Sequence, residues 1–170
     1  GRFDACLAET ARAKRLVAAM PAPPAELRAA LLFAEVLPAV RLGRDLAGTE
    51  ARLQAADAEA RATGDQTLGT AVSMLSGVLA LRRGHATDAV ASLNEAADAI
   101  TRADAVNNAL FAAICRAEAF AYLGDVARAE AQLDEIDRLA VVQPRSAWRH
   151  AAFIETIRAL VDAAGGRTSA

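Results

Sequence analysis

The chain is 170 residues long, about one domain, and 46 of those residues are alanine. With 54% hydrophobic, 24% charged and only 4% aromatic residues it can bury a core, which excludes disorder throughout, and abundant Ala with few β-branched residues favours helices over a sheet. Net charge is -2, with 19 basic residues scattered among 21 acidic ones, so the chain lacks the basic stripe of a nucleic-acid module.

Breaks divide the chain into eight helical runs, predicted at 4–19, 25–42, 46–62, 66–83, 87–102, 105–123, 126–140 and 146–164. The first ends at Met20-Pro21-Ala22-Pro23-Pro24, where proline interrupts helices. The second carries Pro38, which removes one backbone hydrogen bond, predicts a kink and leaves the carbonyl near Ala34 free to face a ligand or to adjust packing. It stops at Gly43, and Asp45 is placed to cap the third. Thr63-Gly64-Asp65 separates the third from the fourth, which closes at Gly84, and His85 is a weaker cap for the fifth. Arg102-Ala103-Asp104 is the next break, and Asn107-Asn108 opens the sixth run as a cap. The sixth ends at Gly124 with Asp125 as cap, and Gln143-Pro144-Arg145-Ser146 precedes the last, with Ser146 as its cap. Residues 165–170 read as a frayed tail.

Five of the glycines form a ruler: Gly1, Gly43, Gly84, Gly124 and Gly165, spaced by 42, 41, 40 and 41 residues. Such spacing is the mark of an internal repeat. After each interior mark the same offsets recur: Thr49 and Leu53, Ala89 and Leu93, Ala129 and Leu133. Spacings of four put them on one helix face, so Leu93 and Leu133 are both expected in the core. From the phase of the ruler the expectation is a single helical-repeat domain, 1–170, that is a piece of a longer array.

Gly77 through Gly84 to Ala89, Leu93 and Ala96 resembles a tetratricopeptide repeat. So does Ala117-Glu118-Ala119-Phe120 through Gly124-Asp125 to Ala129, Leu133 and Ile136. Around Gly43 the fit is weaker, with Val36 in place of the small residue and Thr49 in place of alanine. The usual repeat is shorter by about two helical turns. Longer repeats of this kind, with a helix end running into Gly64-Asp65, are similar to the sensor region of the large ATP-binding, MalT-like regulators of the LuxR type. Abundant Ala and Arg with a single lysine, Lys14, fits a GC-rich bacterial genome. The resemblance implies an all-α, right-handed superhelix of antiparallel pairs. It implies a non-enzymatic sensor or protein-interaction module of a transcriptional regulator, whose P-loop and helix-turn-helix would lie elsewhere. A stand-alone adaptor is the alternative, and an all-helical enzyme has the least support.

The first helix of each pair would line a concave groove. The resemblance places Phe33, Leu37 and Arg41 there from the first full pair, Met74, Val78 and Arg82 from the second, and Phe111, Ile114, Glu118 and Tyr122 from the third. Met74, Val78, Phe111 and Ile114 are expected to be partly accessible if the strip binds, and buried if it only packs helices together. Phe33, Met74 and Ile114 occupy the positions that co-chaperones give to Lys, Arg and Asn, so a clamp for an acidic tail is not expected. The implied partner is a protein, a peptide or a small-molecule effector, with homo-oligomers allowed and with no direct nucleic-acid contact. No cofactor and no metal is expected. Cys6 and Cys115 lie in no metal-ligand spacing and read as reduced thiols of a cytoplasmic protein. Neither apolar stretch, 29–40 nor 71–81, reaches the span of a bilayer. His85 and His150 are assigned surface or structural roles. Trp148 is expected to cover apolar surface or meet a further helix, and Glu130, Asp134, Glu135 and Asp137 form a solvated helix side.

Overall fold

The computed structural model describes residues 2–102 and 106–167. The ruler mark at Gly1, the break at Ala103-Asp104 and the tail from Thr168 lie outside the described residues, as do the side chains of Cys6 and Asn107. Among the described residues there are eight α-helices and no strand: α1 Arg2–Ala18, α2 Ala25–Arg41, α3 Leu46–Thr63, α4 Gln66–Arg82, α5 Ala86–Arg102, α6 Val106–Tyr122, α7 Val126–Val142 and α8 Pro144–Ala164. Each predicted run matches one helix to within two residues at either end.

The turns follow from backbone chemistry. Gly84 takes φ +79°, a left-handed conformation open to glycine, and the His85 amide then bonds the Ala80 carbonyl at 2.9 Å. Gly124 does the same at φ +71°, with the Asp125 amide on the Phe120 carbonyl at 2.9 Å. Both are helix stops that satisfy orphan carbonyls. The carboxylates of Asp45, Asp65 and Asp125 accept from the amides of Gly48, Leu68 and Arg128, so these three caps are as expected. Two details differ. The last turn uses Gly166 at φ +71° instead of Gly165, which lengthens the final step of the ruler to 42. Helix α8 starts at Pro144, not at Ser146, because proline lacks the amide that a first-turn position would leave unbonded. Helix α2 runs through Pro38 to Arg41.

The helices form two layers. Helix α4 packs on α2, α3, α5 and α6, while α6 packs on α4, α5, α7 and α8. The odd helices α3, α5 and α7 pack only on their sequence neighbours. The layer of α2, α4, α6 and α8 is therefore continuous, and grooves separate the odd helices over it. This explains why α4 and α6 are apolar nearly all round, whereas α5 buries one stripe, Ala89, Leu93, Ala96 and Ile100.

Gly77 of α4 lies directly against Leu93 and the Ala89 carbonyl of α5. With Gly77 there, α4 and α5 make the closest packing in the chain. Helices α6 and α7 pack nearly as extensively, and α2 and α3 far less. Leu93 is fully buried, but Leu133 is only half-buried, contrary to expectation. The reason lies in cover: α6 packs on α5 more fully than α8 packs on α7.

Candidate functional site

The candidate site is the inner face of the continuous layer, where side chains from α2, α4, α6 and α8 converge. At one level Phe33 of α2 meets Phe111 of α6 edge-on, with ring centroids 6.3 Å apart at 73°. Phe111 in turn lies against the His150 ring of α8, 5.7 Å away and tilted by 31°. Both contacts have the spacing of favourable ring pairs.

About two helical turns further along, the chemistry becomes charged. Arg82 of α4 pairs with Glu118 of α6 at 3.3 Å. The Arg41 guanidinium of α2 sits 5.1 Å from the centre of the Phe153 ring of α8, a cation–π geometry. Arg41 also attracts the Glu118 carboxylate through space. Helices α2 and α8 do not pack on each other, so Arg41 and Phe153 span the face between them.

Glu118 is 4% exposed. Burial raises its carboxyl above the usual carboxylate range, against the opposing pull of Arg82 and Arg41. Beside it, Cys115 is a free and buried thiol. Burial pushes that thiol far up, the Glu118 charge adds to the effect, and the two arginines oppose it. A thiol held protonated in this way is a packing group and a poor nucleophile.

The expected groove residues divide into two sets. Arg41, Arg82 and Tyr122 are exposed, and Phe33, Leu37 and Phe111 are half-buried on the inner side. Met74 at 1% exposure, Val78 at 4% and Ile114 at 0% are core residues, the outcome expected where the strip packs helices together, whereas Phe111 keeps the partial exposure expected of a binding strip. Each helix of the continuous layer is flanked by two others of that layer or by an odd helix, so the strip facing inward is narrower than a free amphipathic face. Glu118 is brought to the site but as a buried partner of arginine.

His150 and Phe153 complete the site and were not anticipated. The signal was present for Phe153: it stands 13 residues before Gly166, as Phe111 stands 13 before Gly124. Counting from Gly165 hid the match. Asn108 is not a cap; it lies within α6 and lines a cavity of about 400 Å³ with Phe33, Thr67, Thr70, Met74 and Arg102. Trp148 is 81% exposed, and Val141 and Val142 are exposed as well. Glu130, Glu135 and Asp137 pair with Arg167, Arg138 and Arg158 on the outer surface.

Among the described residues no group of His, Cys, Asp and Glu could hold a metal, and no helix is long and apolar enough to cross a membrane. Comparisons with protein-family models, curated proteins and solved structures give no match.

Proposed function

We propose that the chain is a non-enzymatic binding module, a tetratricopeptide-like segment that acts as the sensor or protein-interaction region of a bacterial transcriptional regulator. The observation that carries this reading is the bridging of α2 to α8 across the inner face by side chains alone, Phe33–Phe111–His150 and Arg41–Phe153. Contacts of that kind are weak individually, about 0.5–1.5 kcal/mol for a ring pair. A protein segment, peptide or small effector that inserts between them replaces them at little cost and changes the spacing of the first and last helices of the layer. Neighbour-only packing then transmits the change along the array. In a regulator of the MalT-like kind that change is the signal to the domains outside this segment.

The test is site-specific photocrosslinking in the host cell. A photoreactive residue at Tyr122, exposed at the end of α6, is expected to yield a discrete adduct that Arg41→Glu abolishes. A photoreactive residue at Gln54 on α3, exposed in the groove between α3 and α5, is the control. Adducts at both positions alike, or none at Tyr122, would refute an inner-face binding module.

A further inference from the structure

The grooves between odd helices contain two cavities that occupy the same place in successive repeats. The later one, about 240 Å³, lies between α5 and α7 and is lined by Ala97, Thr101, Ala113, Arg116, Gln132 and Glu135 among others. Subtracting 40 from each number gives Asp57, Arg61, Ser73, Ser76, Ser92 and Glu95, and all six line the earlier cavity between α3 and α5. The two sites are thus built alike, and their differences are informative.

In the earlier cavity both arginines of the lining are paired. Arg61 pairs with Asp57 at 2.7 Å, Arg83 with Glu50 at 2.8 Å, and the base carries the neutral Ser76. In the later cavity the wall pair is replaced by Ala97 and Thr101, and the serine at the base by Arg116. Arg116 is half-buried, its Nε is buried without a hydrogen-bond acceptor, and it forms no ion pair with a described residue. Asp98 acts on it only through space, and burial lowers its pKa. On the facing helix the Oε1 of Gln132 is buried without a donor. The Thr101 hydroxyl donates to the Ala97 carbonyl at 2.9 Å, so its oxygen is left as an acceptor. Glu135, the carboxylate on the rim, pairs with Arg138. Buried polar groups are ordinarily satisfied, and Ser76 shows that the repeat is built without a cation at this place.

We propose that the cavity between α5 and α7 is a binding site for a small carboxylate that carries a hydrogen-bond donor, of the 2-hydroxy acid class. The carboxylate accepts from the guanidinium of Arg116, and the hydroxyl donates to Gln132 or Thr101. A volume of about 240 Å³ lies below the roughly 300–1,000 Å³ of sites for drug-sized ligands, which favours a ligand of a few carbons. The site stands apart from the inner face and does not depend on its function.

The experiment is an amide-resonance titration of the whole chain with lactate, acetate and inorganic phosphate at millimolar concentrations. Lactate is expected to shift the amides of Ala97, Ala113 and Gln132 saturably, with acetate several-fold weaker because it leaves Gln132 without a donor. Arg116→Ser copies the earlier repeat, is expected to stay folded, and should lose roughly tenfold or more in lactate affinity, the worth of one charged hydrogen bond. Should that variant fail to fold, Gln132→Leu decides, lowering lactate affinity while sparing acetate. Absence of a saturable shift at these amides overturns the proposal, as does unchanged affinity in a folded Arg116→Ser. Phosphate binding as tight as lactate overturns the carboxylate assignment.

Discussion

Gly77→Ala is expected to destabilise the chain although it replaces a glycine in the middle of a helix. Removing glycine from a helix interior ordinarily gains about 0.5–1 kcal/mol. Here the added Cβ would stand 2.5 Å from Leu93 Cγ, 2.9 Å from Leu93 Cδ2 and 3.2 Å from the Ala89 carbonyl oxygen. Carbon pairs are at their optimum near 3.5–4.0 Å, so the overlap approaches 1 Å. Leu93 is fully buried and cannot swing aside, and α5 must move off α4. Such overpacking costs about 1–3 kcal/mol, leaving a net loss of roughly 0.5–2 kcal/mol. Gly69 in the same helix is the control. A Cβ there meets only Ala60 Cβ at 3.9 Å, so Gly69→Ala should gain about 0.5–1 kcal/mol. In urea unfolding, at a slope of about 2 kcal/mol per molar, the two midpoints should separate by roughly 1 M. Adding Leu93→Ala to Gly77→Ala removes the clash, so the pair should be less damaging than the sum. If Gly77→Ala is as stable as Gly69→Ala, the closeness of α4 and α5 is not set by Gly77 and the repeat reasoning fails.

Leu93→Ala should cost about 2–5 kcal/mol and Leu133→Ala clearly less, because only the first is fully buried; equal losses in chemical denaturation would contradict the difference in cover. Val78→Asp and Ile114→Asp should each abolish cooperative thermal unfolding, since both residues are core, and a folded variant of either would restore an open groove. Asp65→Ala removes the cap of α4 and a partner of Arg28, with an expected loss of about 1–2 kcal/mol by urea titration. The Glu118 carboxyl has its pKa raised in the fold by burial, so the unfolded chain releases the proton first and wild-type stability falls as pH rises from about 4.5. Glu118→Gln should therefore match wild type near pH 4 and gain on it towards pH 7; a variant that instead weakens with rising pH shows Arg82 and Arg41 outweighing burial.

Helix number, helix ends and the all-α class were legible in the residues because they depend on short-range rules. Glycine at a left-handed turn, aspartate at a cap and proline at a break act within five residues and need no partner elsewhere. Gly165 and Ser146 misled for the same local reason: Gly166 and Pro144, each within two residues, could serve equally, and only the built turn chose between them. The candidate site was legible in part. The tetratricopeptide resemblance placed Phe33, Arg41, Arg82 and Phe111 on one side of the array, but it could not say that Met74, Val78 and Ile114 would be covered. Their exposure depends on how near α2, α4, α6 and α8 approach, which is a property of four helices together. The pairing of Glu118 with Arg82 and the reach of Arg41 to Phe153 likewise join residues 36 and 112 positions apart. Side chains that far apart meet only after the layers have packed, so tertiary structure alone turned a row of helical positions into a bridged inner face, with Arg116 behind it in no ion pair among the described residues.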